Sequence, residues 1–197
     1  MYQYYAIYKP YGMLSQFTKE GDHATLSDLE YQFPKDVYPI GRLDADSEGL
    51  LLLTNDTRVN SALLNPINAH ERTYLVQVEG MIDDAAIQRL QKGLSINING
   101  KIYQTLPAGA MIIEEPDFIP ERNPPIRFRK SIPTSWIKLT LIEGKNRQVR
   151  KMTAAAGFPT LRLIRSAIHL FSLKVMENGR VEEVEKAIFY SKTGLKN

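Results

Sequence analysis

The sequence predicts an α+β fold built on a largely antiparallel or mixed sheet. Strand-like and helix-like segments are mixed along the 197 residues without the steady alternation of a doubly wound fold. The two clearest strands, ERTYLVQVEG (71–80) and WIKLTLIEG (136–144), alternate apolar and polar residues, the period of a strand with one face on a core. A chain of this length buries roughly 70% of its extended surface, so it needs no covalent staple.

Taken in order, YYAIYKP (4–10) is rich in tyrosine and ends at proline, which predicts a first strand. TLSDLEYQF (25–33) has apolar residues at 26, 29 and 33, the spacing of a short helix capped by Thr25 or the residues before it. LLLLT (50–54) is too short for a typical buried helix and reads as a core strand. Asn55 or Asp56 caps a helix within 55–66 whose apolar side carries Val59, Ala62 and Leu63, and Pro66 marks its end. In the strand at 71–80, Tyr74, Val76 and Val78 share one face. DDAAIQRLQKG (83–93) begins with acids and ends with Lys92 and Gly93, the favourable order for a short helix.

SINING and IYQTLPAGAMII predict further strands between 95 and 113. The stretch 114–135 carries five prolines and is expected to be a long loop. NRQVRKMTAAAG (146–157) predicts a helix with Asn146 as cap and Gly157 as stop, and 160–175 reads as strand-like pieces.

Composition removes several classes of function. With no cysteine there is no disulfide framework and no thiolate metal site, which fits a cytoplasmic protein. The opening MYQYYAIYKPYG lacks the basic and apolar regions of a signal peptide, and no apolar run approaches the ~20 residues of a membrane span. His23, His70 and His169 match no ligand spacing, so no metal is expected. No GxxxxGK[ST], GxGxxG or GxSxG is present. A cofactor-free reaction, or plain binding, remains.

Net charge is +3, but Glu121 to Arg165 carries eleven basic residues against two acids and the remainder is net acidic. That asymmetry is the sequence mark of a face for a polyanion, although a solvated basic surface has the same composition.

The run GRLDADSEGLLLLTND (41–56) sets Asp44, Asp46 and Glu48 against the most apolar tetrapeptide of the chain. Asp46 and Glu48 fit a turn. Asp44 fits a turn equally, or a catalytic carboxylate. On a helix, Arg147, Arg150 and Lys151 stand at i, i+3 and i+4 and share a face, either as a surface stripe or with an arginine turned inward to hold a carboxylate ionised.

GRLDADSEGLLLLTND, the tyrosine strand ERTYLVQVEG, the basic motif LIEGKNRQVRKMTAAAGFPTLRLIR and the opening YKPYGMLSQFT together resemble the RsuA-type pseudouridine synthases, over about residues 3 to 185. NPPIRFRKSIPTSWIKLTLIEGKNRQVRKM is most similar to the branch that modifies a uridine of large-subunit (23S) ribosomal RNA.

The resemblance implies the synthase catalytic fold, two lobes around the sheet with the catalytic cleft between them. The lobes are expected to be about 1–65 plus a C-terminal strand, and about 66–165. It implies Asp44 as nucleophile or base, Tyr74 stacked on the uracil, Arg150 as the basic partner of the aspartate, and Arg42 assisting the flipped-out nucleotide. Of the three acids, Asp44 is the one expected inside a dry pocket floored by Leu50 to Leu53. RNA grip is expected from Arg127, Arg129, Lys130, Lys145, Arg147 and Lys151. No S4-like domain is expected before the catalytic one, since Lys9-Pro10 comes so early. A monomer acting on ribosomal RNA, free or in an assembly intermediate, is expected. The alternatives are the same reaction on small-subunit or transfer RNA, a non-catalytic RNA-binding assembly factor, and a carboxylate-dependent nuclease, for which no second acid cluster is present.

Overall fold

The computed structural model describes residues 1–126, 132–173 and 177–195. In chain order the elements are β1 (Tyr4–Lys9), β2 (Tyr38–Pro39), β3 (Glu48–Thr54), α1 (Thr57–Leu64), β4 (Arg72–Glu79), α2 (Asp84–Lys92) and β5 (Ser95–Ile98). They continue with β6 (Lys101–Gln104), β7 (Gly109–Ile113), β8 (Thr134–Leu141), α3 (Gln148–Ala155), β9 (Thr160–Ile168), β10 (Phe171–Ser172), β11 (Val181–Glu183) and α4 (Lys186–Thr193). Short helices and antiparallel strand pairs make this the α+β class the sequence predicts. No helix among the described residues is long and apolar enough to cross a membrane. The chain divides into two compact units, Met1–His70 with Arg165–Asn197, and Glu71–Ile164.

In the first unit β1 pairs antiparallel with β3 on one side and β11 on the other. Every residue of β1 and β3 is buried, so neither strand shows a polar face in sequence. Tyr5, Ile7, Leu51 and Leu53 form one core face with Met13, Leu26 and Val37. On the alternate positions of β1, the Tyr4 ring lies 4.7 Å from that of Phe189 and edge-on to Tyr190, both on α4.

Asp56 ties these parts together. It caps α1 by accepting from the Arg58 amide, and its carboxylate also takes both Tyr4 Oη at 3.1 Å and Tyr190 Oη at 3.0 Å. The Arg58 guanidinium closes the set with two bonds of 2.8 Å.

The segment predicted helical at 25–33 forms only a single 3-10 turn, Leu26–Asp28, closed by a Thr25–Asp28 capping box. Its apolar residues serve the first core as separate contacts, Leu26 within it and Leu29 and Phe33 packed against it, so no continuous helix is needed. Glu48, expected in a turn, is instead the first residue of β3 and is 1% exposed. Gly49 follows with φ +111°, and a Cβ there would sit 2.4 Å from the carbonyl oxygen of Arg165. Only glycine permits that backbone approach.

In the second unit β4, β8 and β7 are neighbours in an antiparallel sheet, with Val76 opposite Ile137 and Tyr74 opposite Leu139. Helices α2 and α3 supply Ile87, Leu90, Val149 and Met152 to the same core. Asp83 caps α2 by accepting from the Ala86 amide at 2.8 Å. β5 and β6 form a separate hairpin turned by Asn99 and Gly100, both at positive φ, the pairing that a two-residue turn of matching twist requires. Among the described residues, 114–126 contains no helix or strand, as its prolines predict.

Two stability measurements test this account. Gly49→Ala should lose at least ~3 kcal/mol in chemical denaturation, because the left-handed φ and the clash with fixed backbone add; a wild-type midpoint would show that the approach to Arg165 is not tight.

The second concerns Asp56, whose carboxyl is held well below the usual range by the Arg58 hydrogen bonds, with help from Tyr190 and Tyr4 and against its burial. A depressed folded-state pKa gives stability that is present above the unfolded value and lost as pH falls through the folded one. Asp56→Asn should therefore cost roughly 2–4 kcal/mol at pH 7, and the deficit should shrink below about pH 4. A deficit that stays constant to pH 2 would contradict the ionic reading.

Candidate active site

β2 is held to β3 by Tyr38 opposite Thr54 and Pro39 opposite Leu53, and the Ile40 amide donates to the Leu52 carbonyl at 2.7 Å. The chain then leaves the sheet, turns, and re-enters it as β3. Along that turn Arg42 is exposed, Leu43 is buried, Asp44 is exposed, and Ser47 and Glu48 are buried. Leu43 is the apolar anchor that leaves its two charged neighbours facing water. The Ser47 amide donates to the Asp44 carbonyl at 3.0 Å and closes the turn.

The expectation that Asp44 is the acid inside therefore needs correcting: Glu48 is the buried one. Strand β3 starts two residues earlier than its leucines suggest, and its first side chain follows the strand into the interior.

Lys9 lies at the end of β1, opposite Gly49, and is fully buried. Its Nζ donates to the carbonyls of Met13 at 2.6 Å and Pro10 at 2.9 Å. Burial pulls its pKa down to about 7, with the charge of Glu48 working against that shift and Arg165 adding to it. A neutral amine keeps two N–H groups, enough for both carbonyls. Arg165, also buried, donates from Nε to the Leu50 carbonyl at 2.8 Å.

In the second unit Tyr74 is 9% exposed, on the core face of β4. The chain between β8 and α3 carries the predicted cations. Lys145 and Arg147 are exposed, while Arg150 and Lys151 are half-buried. The cap of α3 is Arg147, in the left-handed region at φ 52°, and not Asn146 as the sequence predicts. The physical reason is Gln148: its Oε1 accepts from the Lys145 amide at 2.9 Å, and its Nε2 donates to Glu143 at 2.6 Å. A side chain from the helix itself reaches back to the turn and replaces the asparagine.

Glu143 is buried and also accepts from the Tyr103 hydroxyl and from the Leu106 amide at 2.9 Å. Lys145 Nζ sits 4.8 Å from the Tyr103 ring centroid. Lys145, Arg147, Arg150 and Lys151 are thus gathered on one turn and the helix it starts. Asp44 and Arg42 belong to the first unit. Arg127, Arg129 and Lys130 lie outside the described residues.

Among the described residues no three His, Cys, Asp or Glu side chains are grouped to hold a metal. The rings of His70 and His169, 99 positions apart in sequence, do face each other edge-on at 6.2 Å. Sequence reasoning missed Ser15, Glu143 and Gln148, all buried polar residues in the motifs quoted above. Their side chains serve backbone groups close in space, and only the folded chain reveals that.

A family model described as RNA pseudouridylate synthase matches residues 3–155. The chain belongs to the RNA pseudouridylate synthase family. A relative from Vibrio parahaemolyticus named ribosomal large subunit pseudouridine synthase E is 47% identical over 177 residues, spanning 90% of this chain and 71% of that protein. One of the same name from Xanthomonas campestris pv. campestris is 43% identical over 172 residues, 87% of this chain and 90% of that protein. A crystal structure of a pseudouridylate synthase superposes with a TM-score of 0.77 at 24% identity, over 98% of this chain and 74% of that one, which shows that the synthase has that fold.

The charge on Lys9 gives a checkable consequence for this synthase. The unfolded lysine keeps its proton up to about pH 10.4, while the folded one gives it up near 7. Between those values the unfolded state binds more protons, so the contribution of Lys9 to stability rises with pH. The stability of wild type relative to Lys9→Met should rise between pH 7 and about pH 9.5 when measured by urea denaturation; parallel curves would mean that Lys9 stays charged in the fold.

Proposed function

We propose that this synthase isomerises a uridine of large-subunit ribosomal RNA to pseudouridine, with Asp44 as the catalytic carboxylate. The observation that carries the substrate is the 47% and 43% identity to two proteins named for that activity. For Asp44 the support is its exposure on a turn whose neighbours on either side are tied down, together with its place in the GRLD motif.

The reaction breaks the N1–C1′ bond, turns the uracil, and joins C5 to C1′; the hydrogen on C5 leaves as a proton and N1 takes one up. Asp44 starts it by attacking C1′ or by taking the C2′ proton. A uridine must leave its stack to reach either position, at a cost of a few kcal/mol. Stacking on Tyr74 recovers roughly 1–3 kcal/mol of that. Water solvates the Asp44 carboxylate in the free protein, and a nucleotide covering it removes that water. The Arg150 guanidinium then supplies the compensating charge. Arg42 assists the flipped nucleotide, and Lys145, Arg147 and Lys151 contact phosphates, which makes binding salt dependent. An isomerisation has no net redox change, so neither metal nor cofactor is required. The synthase works as a monomer in the cytoplasm, on the RNA alone or in an assembling subunit.

Pseudouridine mapping of total RNA from cells lacking the gene tests this. One large-subunit position should lose its modification, and wild type but not Asp44→Asn should restore it. Loss at a small-subunit or transfer-RNA site would keep the chemistry and move the substrate. Rescue by Asp44→Asn would remove the carboxylate from the mechanism.

A further inference from the structure

We infer that Ser15 is a positioning residue for Asp44, fixing through two backbone hydrogen bonds the residue that precedes it. The Ser15 Oγ donates to the Leu43 carbonyl at 2.8 Å and accepts from the Leu43 amide at 3.0 Å. Both groups are buried, and one hydroxyl satisfies both ends of one residue. On the other side of Asp44 the Gly12 amide donates to the Ala45 carbonyl at 2.7 Å. Asp44 is therefore gripped before and after by a single loop, Pro10–Ser15, while its own side chain stays exposed.

The gripping loop is itself rigid. Lys9 Nζ holds the carbonyls of Pro10 and Met13 from beneath. The Leu14 amide donates to the Ala24 carbonyl at 2.8 Å, and the Leu26 amide to the Gln16 carbonyl at 2.9 Å, so the residues flanking Ser15 are both pinned. Two adjacent backbone ties set the position of the Asp44 Cα. An ångström of drift in a reacting group costs on the order of 100-fold in rate. The phosphate contacts, at Lys145, Arg147 and Lys151, lie elsewhere in the chain and do not pass through this clamp.

The inference rests on Asp44 being the catalytic carboxylate, so Asp44→Asn enters the same assay. The readout is tritium release from ribosomal RNA of cells lacking the gene, labelled at uridine C5, with kcat and KM separated. Ser15→Ala should lower kcat about 10- to 100-fold with KM unchanged. Ser15→Thr, which keeps the hydroxyl, should recover most of it. Ser15→Cys keeps the shape with a slightly larger atom that bonds weakly, and should fall between. If Ser15→Ala fails to fold, the comparison of cysteine with threonine carries the test.

Full kcat in a folded Ser15→Ala, a loss confined to KM, or cysteine equal to serine would each overturn the positioning role while Asp44→Asn stays inactive. An active Asp44→Asn would instead remove the premise, and both readings with it.

Discussion

The first unit depends on one missing atom. Strand β3 lies wholly in the interior, Leu50 to Leu53 at 0% exposure, and its second residue has no Cβ. That absence lets the Arg165 backbone come closer to Gly49 than any side chain allows. From there the Arg165 guanidinium reaches the Leu50 carbonyl. The start of β3 is thereby fixed in depth and direction. The turn carrying Asp44 ends at Ser47, directly before Glu48, and inherits that fixed point through the Ser47–Asp44 bond. In the apolar strand and the acidic turn beside it, the strand is the immovable part, and the turn that carries Asp44 leads into its edge.

Around this edge the protein buries three ionisable side chains, Lys9, Glu48 and Arg165, while Asp44 is exposed. Buried charges cost several kcal/mol each before their partners repay anything. The loss of basicity at Lys9 is the visible part of that cost. Apolar residues of equal volume would stabilise the fold as well or better, so stability alone does not explain the arrangement. What charged and hydrogen-bonding groups add is a unique geometry: Lys9 ends on two specified carbonyls and Arg165 on a third. The buried Lys9 and Arg165 hold backbone, and Asp44 lies exposed on the turn beside them.

Much of this was legible in the sequence, for reasons that differ by element. β4 and β8 were readable because one face is buried and the alternation survives. β1 was readable from composition alone, its tyrosines filling both faces. The helix capped by Asp56 and the one capped by Asp83 carried their start signals in plain view. The segment at 25–33 was misread because a helical spacing of three apolar residues also suits separate insertions into one core. Glu48 was misread because turn residues and strand starts share a composition. Its burial is set by Gly49, whose tight neighbour is 116 positions away. The site motifs were visible as motifs. Ser15 within them was not singled out, since its partners are backbone atoms of Leu43, which carry no sequence label.

The cap of α3 shows the same principle working on charge. Arg147 occupies a left-handed conformation that costs about 1–2 kcal/mol for a residue with a Cβ. The exposed cations Lys145 and Arg147 also stand at the helix end where the peptide dipoles already place positive charge, an unfavourable position by a few tenths of a kcal/mol or more. A chain selected for stability alone would put serine or aspartate there. Here the acid, Glu143, is withdrawn into the interior. It spends its bonds on Gln148, Tyr103 and Leu106, so the turn is held from behind and its front stays positive. An anion would relieve that frustration, since a helix N-terminus ringed by cations favours phosphate on both counts. The strain at Arg147 and the burial of Glu143 are then two parts of one arrangement, which gives up local stability to keep a fixed positive surface.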